Sequence, residues 1–264
     1  MWGSSDIPLK QFFQKISEAG FDGVEMNIPY DQDYSLQVKT LLKEFGLILI
    51  AQQWLPPAEE TVDGYIARMK TYLQHLASFQ PLLINSHTGK DFFSFEENCL
   101  IFEEANNFCK NEGVKIVHET HRGRALFSTY SAKQYFSRFP DLRINADFSH
   151  WCCVSESLLQ DQNEIIELAI QRTDYIHARV GHEQGPQVNH LLAEENSKTL
   201  NAHLEWWQRI IEKAKLNEKE EIAICTEFGP EPYLQTFPFT NKPVTEQWEL
   251  NRIMKHLLQE KFKG

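Results

Sequence analysis

Short apolar runs of the chain end repeatedly on side chains that can bind a metal or move a proton. FDGVEM (21–26) carries Glu25, LILIAQ (47–52) leads into Gln52 and Gln53, and PLLINS (81–86) is followed by His87. VKIVHE (114–119) closes on Glu119, LRINAD (142–147) on Asp147, TDYIHAR (173–179) on His177 and Arg179, and EIAICTE (221–227) on Glu227. Side chains alternate along a strand, so positions i and i+2 share a side. Asn145 goes with Asp147, His177 with Arg179, and His121 with Glu119, while His118 faces the other way. The last four runs bring Glu119, Asp147 and Glu227 to one place with a single imidazole, His177. Three bare carboxylates in a pocket repel one another. One divalent metal ion resolves that conflict, and an oxygen-rich set with one nitrogen suits Mn2+, Mg2+ or Co2+, with Zn2+ also admissible. Each residue also has a plainer reading. Asp147 could cap a helix at a strand–helix turn, His177 could be a satisfied core histidine, Glu119 a cap and Glu227 a turn residue.

The elements that must hold these side chains alternate. Between the apolar runs lie helical stripes, such as Val62, Ile66, Met69, Leu73, Leu76 and Leu200, Leu204, Trp207, Ile211, Ala214, which step by three and four. Ser94 and Glu97 form a capping-box pattern, and Gly20 and Gly46 close the first two helical patterns. Strict alternation of strand and helix predicts a parallel sheet. Seven strand–helix units, with a stub at Met1–Trp2, predict an α/β fold of the (β/α)8 TIM-barrel type, first strand short or truncated, as a single domain over 1–264. In that fold the strand C-termini build the active site. The polar connection 180–198 follows a strand and is expected to act as a lid. Trp206 and Trp207 are expected to pack helix against barrel, with an exposed Trp206 marking a subunit contact in a homo-oligomer.

With 264 residues, 42% hydrophobic and including 18 Phe, the chain can bury a large core. Its net charge of −11 argues against a broad basic face for nucleic acid. No apolar stretch reaches the ~20 residues of a membrane span, and MWGSSDIPLK has no apolar signal core. Five cysteines without a CxxC read as reduced thiols. The expectation is a cytoplasmic protein with a small-molecule sugar substrate and neither nucleic acid nor membrane as partner.

The segments GFDGVEMNIP (20–29), INSHTGKD (84–91), HETHRGR (118–124), ADFSHW (146–151), IHARVGHEQGPQ (176–187) and TEFGPEPY (226–233) resemble the xylose-isomerase-like TIM barrels. That superfamily includes ketose 3-epimerases, hydroxypyruvate isomerase, inosose dehydratase and the endonuclease IV type of AP endonuclease. The resemblance spans nearly the whole chain and is strongest to members labelled sugar phosphate isomerase/epimerase. It implies metal ligands at Glu119, Asp147, His177 and Glu227, with Glu119 and Glu227 exchanging the substrate proton. It also implies substrate contacts from His150, in the Asp-x-x-His motif, from Arg179 and from His87. Glu25, Trp54 and His121 join them as candidate substrate-binding residues, with Trp54, Trp151 and Phe228 as candidate apolar walls. The endonuclease branch departs at Gln52–Gln53, where it needs histidine, and its Asp-x-His after the seventh strand is not evident. The implied activity is a metal-dependent isomerase or epimerase of a small sugar or keto-sugar, phosphorylated or not, working through an enediolate. Two alternatives stay open: a dehydratase of a keto-inositol or polyol, and a non-catalytic sugar-binding barrel.

Overall fold

Aliphatic runs of three to six residues make the strands, and the three-and-four stripes make the helices. The computed structural model describes residues 2–217 and 221–262. Among them, seven strands pair in parallel in the order in which they occur in the chain. This is the α/β TIM-barrel class that the alternation predicts. The stub at Met1–Trp2 is not seen: Trp2 lies in an exposed turn and Met1 is outside the described residues. Contacts divide the chain into two units, Met1–His118 and Glu119–Gly264.

The first unit holds α1 (Leu9–Glu18), β1 (Gly23–Met26), α2 (Gln32–Phe45), β2 (Ile48–Gln53), α3 (Val62–Ala77), β3 (Leu83–Ser86), α4 (Phe95–Glu112) and all but the last residue of β4 (Ile116–Glu119). Helix α1 buries Leu9, Phe12, Phe13 and Ile16, a single stripe at helical spacing. Glycine is required at position 23, because a Cβ there would stand 2.4 Å from the carbonyl oxygen of Ile48 on the paired strand. Ser94 and Glu97 form the expected capping box, Glu97 N donating to Ser94 Oγ at 3.2 Å and Ser94 N to Glu97 Oε2 at 2.7 Å. The stripe of α3 is turned by one residue from its sequence reading. Tyr65 and Tyr72 are buried and Val62 and Ile66 only partly so. The reason is polar: Tyr72 Oη donates to Ile28 O and accepts from Ile28 N, while Tyr65 Oη donates to His87 O and accepts from Gly89 N. The two phenols thereby fix the backbone just past β1 and β3.

The second unit holds α5 (Thr129–Arg138), β5 (Ile144–Ala146), α6 (Phe148–Val154), α7 (Asn163–Arg172), β6 (Thr173–Ala178), α8 (Ser197–Leu216), β7 (Ala223–Thr226) and α9 (Gln247–Phe262). Strands β5 and β6 are buried along their whole length, as befits parallel strands covered on both faces. Trp206 departs from expectation. It is 6% exposed, edge-on to Phe148 and packed on His203, so it is core rather than a subunit contact. All five cysteines are free thiols. No helix among the described residues is long and apolar enough to cross a membrane.

Candidate metal centre

Four consecutive strand ends of the second unit converge. Glu119 ends β4, Asp147 follows β5, His177 lies near the end of β6 and Glu227 follows β7. Donor atoms of Glu119, Asp147 and His177 lie within 4.8 Å of one another, and all three residues are buried. His177 Nδ1 is 2.8 Å from Glu227 Oε2, 3.7 Å from Glu119 Oε2 and 4.0 Å from Asp147 Oδ2. Glu227 alone of the four reaches solvent, its side chain 14% exposed.

A buried arginine ties this set together. Arg179 Nη2 pairs with Asp147 Oδ2, Nη1 stands 3.4 Å from Glu227 Oε2, and Nε donates to Ser149 Oγ at 3.2 Å. Nη2 also lies 2.7 Å from His150 Nε2. A guanidinium only donates, so Nε2 of His150 accepts and its proton sits on Nδ1. That Nδ1 is sealed from solvent and has no hydrogen-bond partner among the described residues. Burial, reinforced by the neighbouring cations, holds His150 well below the usual histidine range, which agrees with the neutral tautomer.

Asp147 does two jobs. It caps α6, accepting from Ser149 N at 3.2 Å and from Ser149 Oγ, so the plainer helix-cap reading holds alongside the cluster reading. Its own backbone N donates to Thr120 Oγ1 at 2.9 Å, which locks the turn. Burial pushes the Asp147 carboxyl up to about 7; Arg179 opposes the rise, and Glu227 and Glu119 add to it. Burial would raise Glu227 too, but Arg179 and then His177 outweigh it and hold that carboxyl below its ordinary value. Burial works against the charge on Arg179, yet Asp147 and Glu227 overcome it and raise its pKa further.

In the first unit Glu25 and His87 each meet a side-chain amide. Asn85 Nδ2 donates to Glu25 Oε1 at 2.8 Å, and Gln52 Nε2 meets His87 Nε2 at 3.4 Å. Trp54 is 39% exposed. A buried chain of neutral groups runs beside them. Ser86 Oγ donates to Gln53 Oε1 at 2.6 Å, lies 2.7 Å from Thr88 Oγ1, and Thr88 Oγ1 lies 2.6 Å from His118 Nδ1. Each hydroxyl has one proton. Ser86 gives its proton to Gln53, so Thr88 must donate to Ser86 and His118 Nδ1–H to Thr88. Burial drives His118 down to about 3, so the donor is neutral imidazole.

The 180–198 connection is fastened within the second unit. Gln187 donates to Gly229 O at 3.2 Å and accepts from Gly229 N at 2.7 Å, and Val188 N donates to Val180 O. At Gly181 the connection presses on α6, where a Cβ would stand 2.6 Å from that of Ser149. Trp151 and Phe228, expected as walls, are core: Trp151 stacks on Phe148 and donates to Leu126 O, and Phe228 is 1% exposed. The ring of His121 lies 3.9 Å from that of His150. Sequence reasoning missed Ser149 and Tyr233, whose ring lies 4.8 Å from the Arg179 guanidinium. Both sit inside motifs already singled out, ADFSHW and TEFGPEPY.

Residues 13–184 match the family model described as Xylose isomerase-like TIM barrel. The protein belongs to that family. No curated protein sequence matches the chain at a significant level. Among solved structures, this xylose isomerase-like barrel is similar to the probable 3-DHS dehydratase AsbF from Bacillus anthracis, with 17% identity, TM-score 0.60, and 95% of this chain and 93% of that one covered. It is similar to the 3-keto-D-glucoside 4-epimerase YcjR from E. coli, with 14% identity, TM-score 0.60, and 97% and 96% covered. It is also similar to a xylose isomerase-like TIM barrel protein from Mycobacterium smegmatis in complex with magnesium, with 11% identity, TM-score 0.62, and 96% and 88% covered. These likenesses are of fold. On its own residues the barrel fits a divalent cation. Two buried carboxylates and a third that reaches solvent face one arginine and one histidine, an oxygen-rich donor set with excess negative charge.

Proposed function

We propose that the protein is a divalent-metal-dependent isomerase or epimerase of a small sugar or keto-sugar, acting as a single domain by proton transfer through an enediolate. The observation that carries this reading is the charge imbalance of the buried cluster: Glu119, Asp147 and Glu227 against Arg179 and His177. A divalent cation held by Glu119, Asp147, His177 and Glu227, of the Mn2+, Mg2+ or Co2+ type, supplies Lewis acidity toward a carbonyl and its neighbouring hydroxyl. The magnesium complex and the epimerase among the similar structures support the choice of cofactor and reaction class.

The chain's own groups do the proton work. Glu227, held below its ordinary pKa and open to solvent, takes the proton from the carbon beside the carbonyl. Glu119 returns one on the other side. His150 offers its Nδ1–H to the oxygen on which charge develops. Arg179 holds Asp147 in place and keeps Glu227 ionised, and His121, beside His150, contacts the rest of the substrate.

The test is turnover of a panel of ketoses and keto-sugars by Mn2+-loaded protein in D2O. Deuterium is expected at the carbon beside the carbonyl. Full isomerisation without label at any enzyme concentration would refute proton transfer. A dehydrated product would move the assignment to a hydro-lyase, and tight metal binding with no turnover would move it to a sugar-binding barrel.

A further inference from the structure

The turn after β4 reads His121-Arg122-Gly123-Arg124, and its two arginines lack what most other arginines of the chain have; Arg172, also without a carboxylate among the described residues, donates to Leu168 O and lies on the Phe136 ring instead. Arg68, Arg143, Arg209 and Arg252 each meet a carboxylate, and Arg179 meets two. Among the described residues no carboxylate pairs with Arg122 or Arg124. Arg124 is 7% exposed, and its Nη1 is sealed from solvent without a hydrogen-bond partner. In a chain of net charge −11 acids are plentiful, so two unpaired guanidinium groups in one turn stand out. A buried cation without a counter-charge is costly to the fold.

The turn adjoins the metal centre. The ring of His121 lies 3.9 Å from that of His150, tilted by 49°, and the Arg122 guanidinium lies 5.1 Å from the Tyr233 ring. Arg179 contacts the same ring at 4.8 Å, but its own donors are taken by Asp147, Ser149 and Glu227. Tyr233 therefore links a saturated arginine at the centre to an unsaturated one at its edge.

We propose that the substrate carries an anionic group, carboxylate or phosphate, that binds Arg122 and Arg124. The proposal deepens the sugar reading above and rests on it. Planar guanidinium donors match both oxyanions two bonds at a time.

Titration calorimetry on the full chain, with and without Mn2+, tests it with three open-chain probes of equal carbon number: glucitol, gluconate and glucitol 6-phosphate. At least one anionic probe should bind about tenfold or more tightly than glucitol, the worth of a charge-assisted hydrogen bond, and which one does separates carboxylate from phosphate. Arg122→Gln, on an exposed side chain, should abolish the preference. Arg124→Gln should do the same, and Arg124→Lys, which keeps the buried charge, should retain part of it. Lys133→Gln, an exposed cation on α5, should leave it intact. Equal affinity for the three probes, binding of none, or a preference that survives Arg122→Gln would overturn the proposal. The Mn2+ titration is a separate readout. A wild-type chain that binds no metal yet prefers anions would sink the metal-enzyme reading and leave the arginine site standing.

Discussion

Two buried polar clusters sit on neighbouring residues of β4. His118 belongs to the chain Gln53–Ser86–Thr88–His118, and Glu119 to the set with Asp147, His177 and Glu227. Both are largely buried, with Glu227 alone reaching solvent, and both are built on strand ends. The first is neutral, and its protons run in one direction, each hydroxyl donating once and accepting once. The second carries three carboxylates against one arginine, and its polar atoms compete for the same partners. Burial of polar groups is therefore not what marks a site here. A neutral network whose hydroxyls are all satisfied rigidifies a fold, whereas a surplus of like charge drawn together at a largely buried point needs something further to complete it. The same chemistry separates Glu25, held by Asn85, from Glu227, held by Arg179 and His177.

The contrast can be broken at the charged cluster first. Glu119→Gln and Glu227→Gln should each cut turnover by about 10²–10⁴-fold, the worth of a general acid or base. Steady-state kinetics at saturating Mn2+ separates that loss from weakened metal binding. Thermal melts should show no large loss of stability in Glu119→Gln, which removes a repulsive charge, and a larger loss in Glu227→Gln, which also gives up the pairing with Arg179 and His177. A melting temperature of Glu119→Gln that collapses along with activity would make the two clusters alike.

A second measurement uses the proton on Asp147. Its folded pKa, about 7, lies above its ordinary 3.8. Between those values the folded state holds a proton that the unfolded state releases, so the metal-free protein should lose stability as pH rises through this window. Glu227 is shifted the other way and acts only at lower pH. A cation must displace the Asp147 proton, so Mn2+ affinity should rise up to about tenfold per pH unit below 7 and level off above. Melting curves after chelation and Mn2+ titrations from about pH 5 to 8 check both slopes. A flat affinity profile would remove Asp147 from the ligand set.

The smallest effect sharpens the neutral side. Thr88→Val keeps shape but strips the central hydroxyl, leaving His118 Nδ1–H and Ser86 Oγ short of a partner. Destabilisation of about 1–3 kcal/mol per orphaned group is expected, measured by denaturant unfolding, with Mn2+ affinity unchanged. A shift in metal affinity would show that the two clusters act as one.

Much of this was legible in the sequence, for a physical reason. Strand ends such as Glu119, Asp147 and Glu227 close apolar runs, and parallel strands separated by helices must place those ends together. Short apolar runs between helical stripes located β1 to β7. What escaped were features set by side-chain geometry. The α3 stripe turned because Tyr65 and Tyr72 had carbonyls to reach, and no periodicity count weighs a phenol's hydroxyl. Trp206 reads as exposed from its place in a helix, yet Phe148 and His203 enclose it. Arg179 reads as a substrate contact from its spacing after His177, yet its donors are taken up by Asp147, Ser149 and Glu227. The neutral tautomer of His150 follows from one arginine nitrogen, which sequence could not place.

The positions of Glu119 and Glu227 have a consequence for synthesis. The donors of the cluster are read out in order along the chain, and Glu227 lies beyond the last of the described strands, more than a hundred residues after Glu119. Chains fold progressively from the N-terminus as they are made. Until residue 227 has emerged, Arg179 has Asp147 as its anchor but lacks Glu227, and the carboxylates are nearer to balance with the cations. The surplus charge that calls for a cation arises only once the chain has been made past β7. On the metal reading proposed above, a chain that stops short of Glu227 is a poorer metal trap, and ion capture is expected to follow the synthesis of β7.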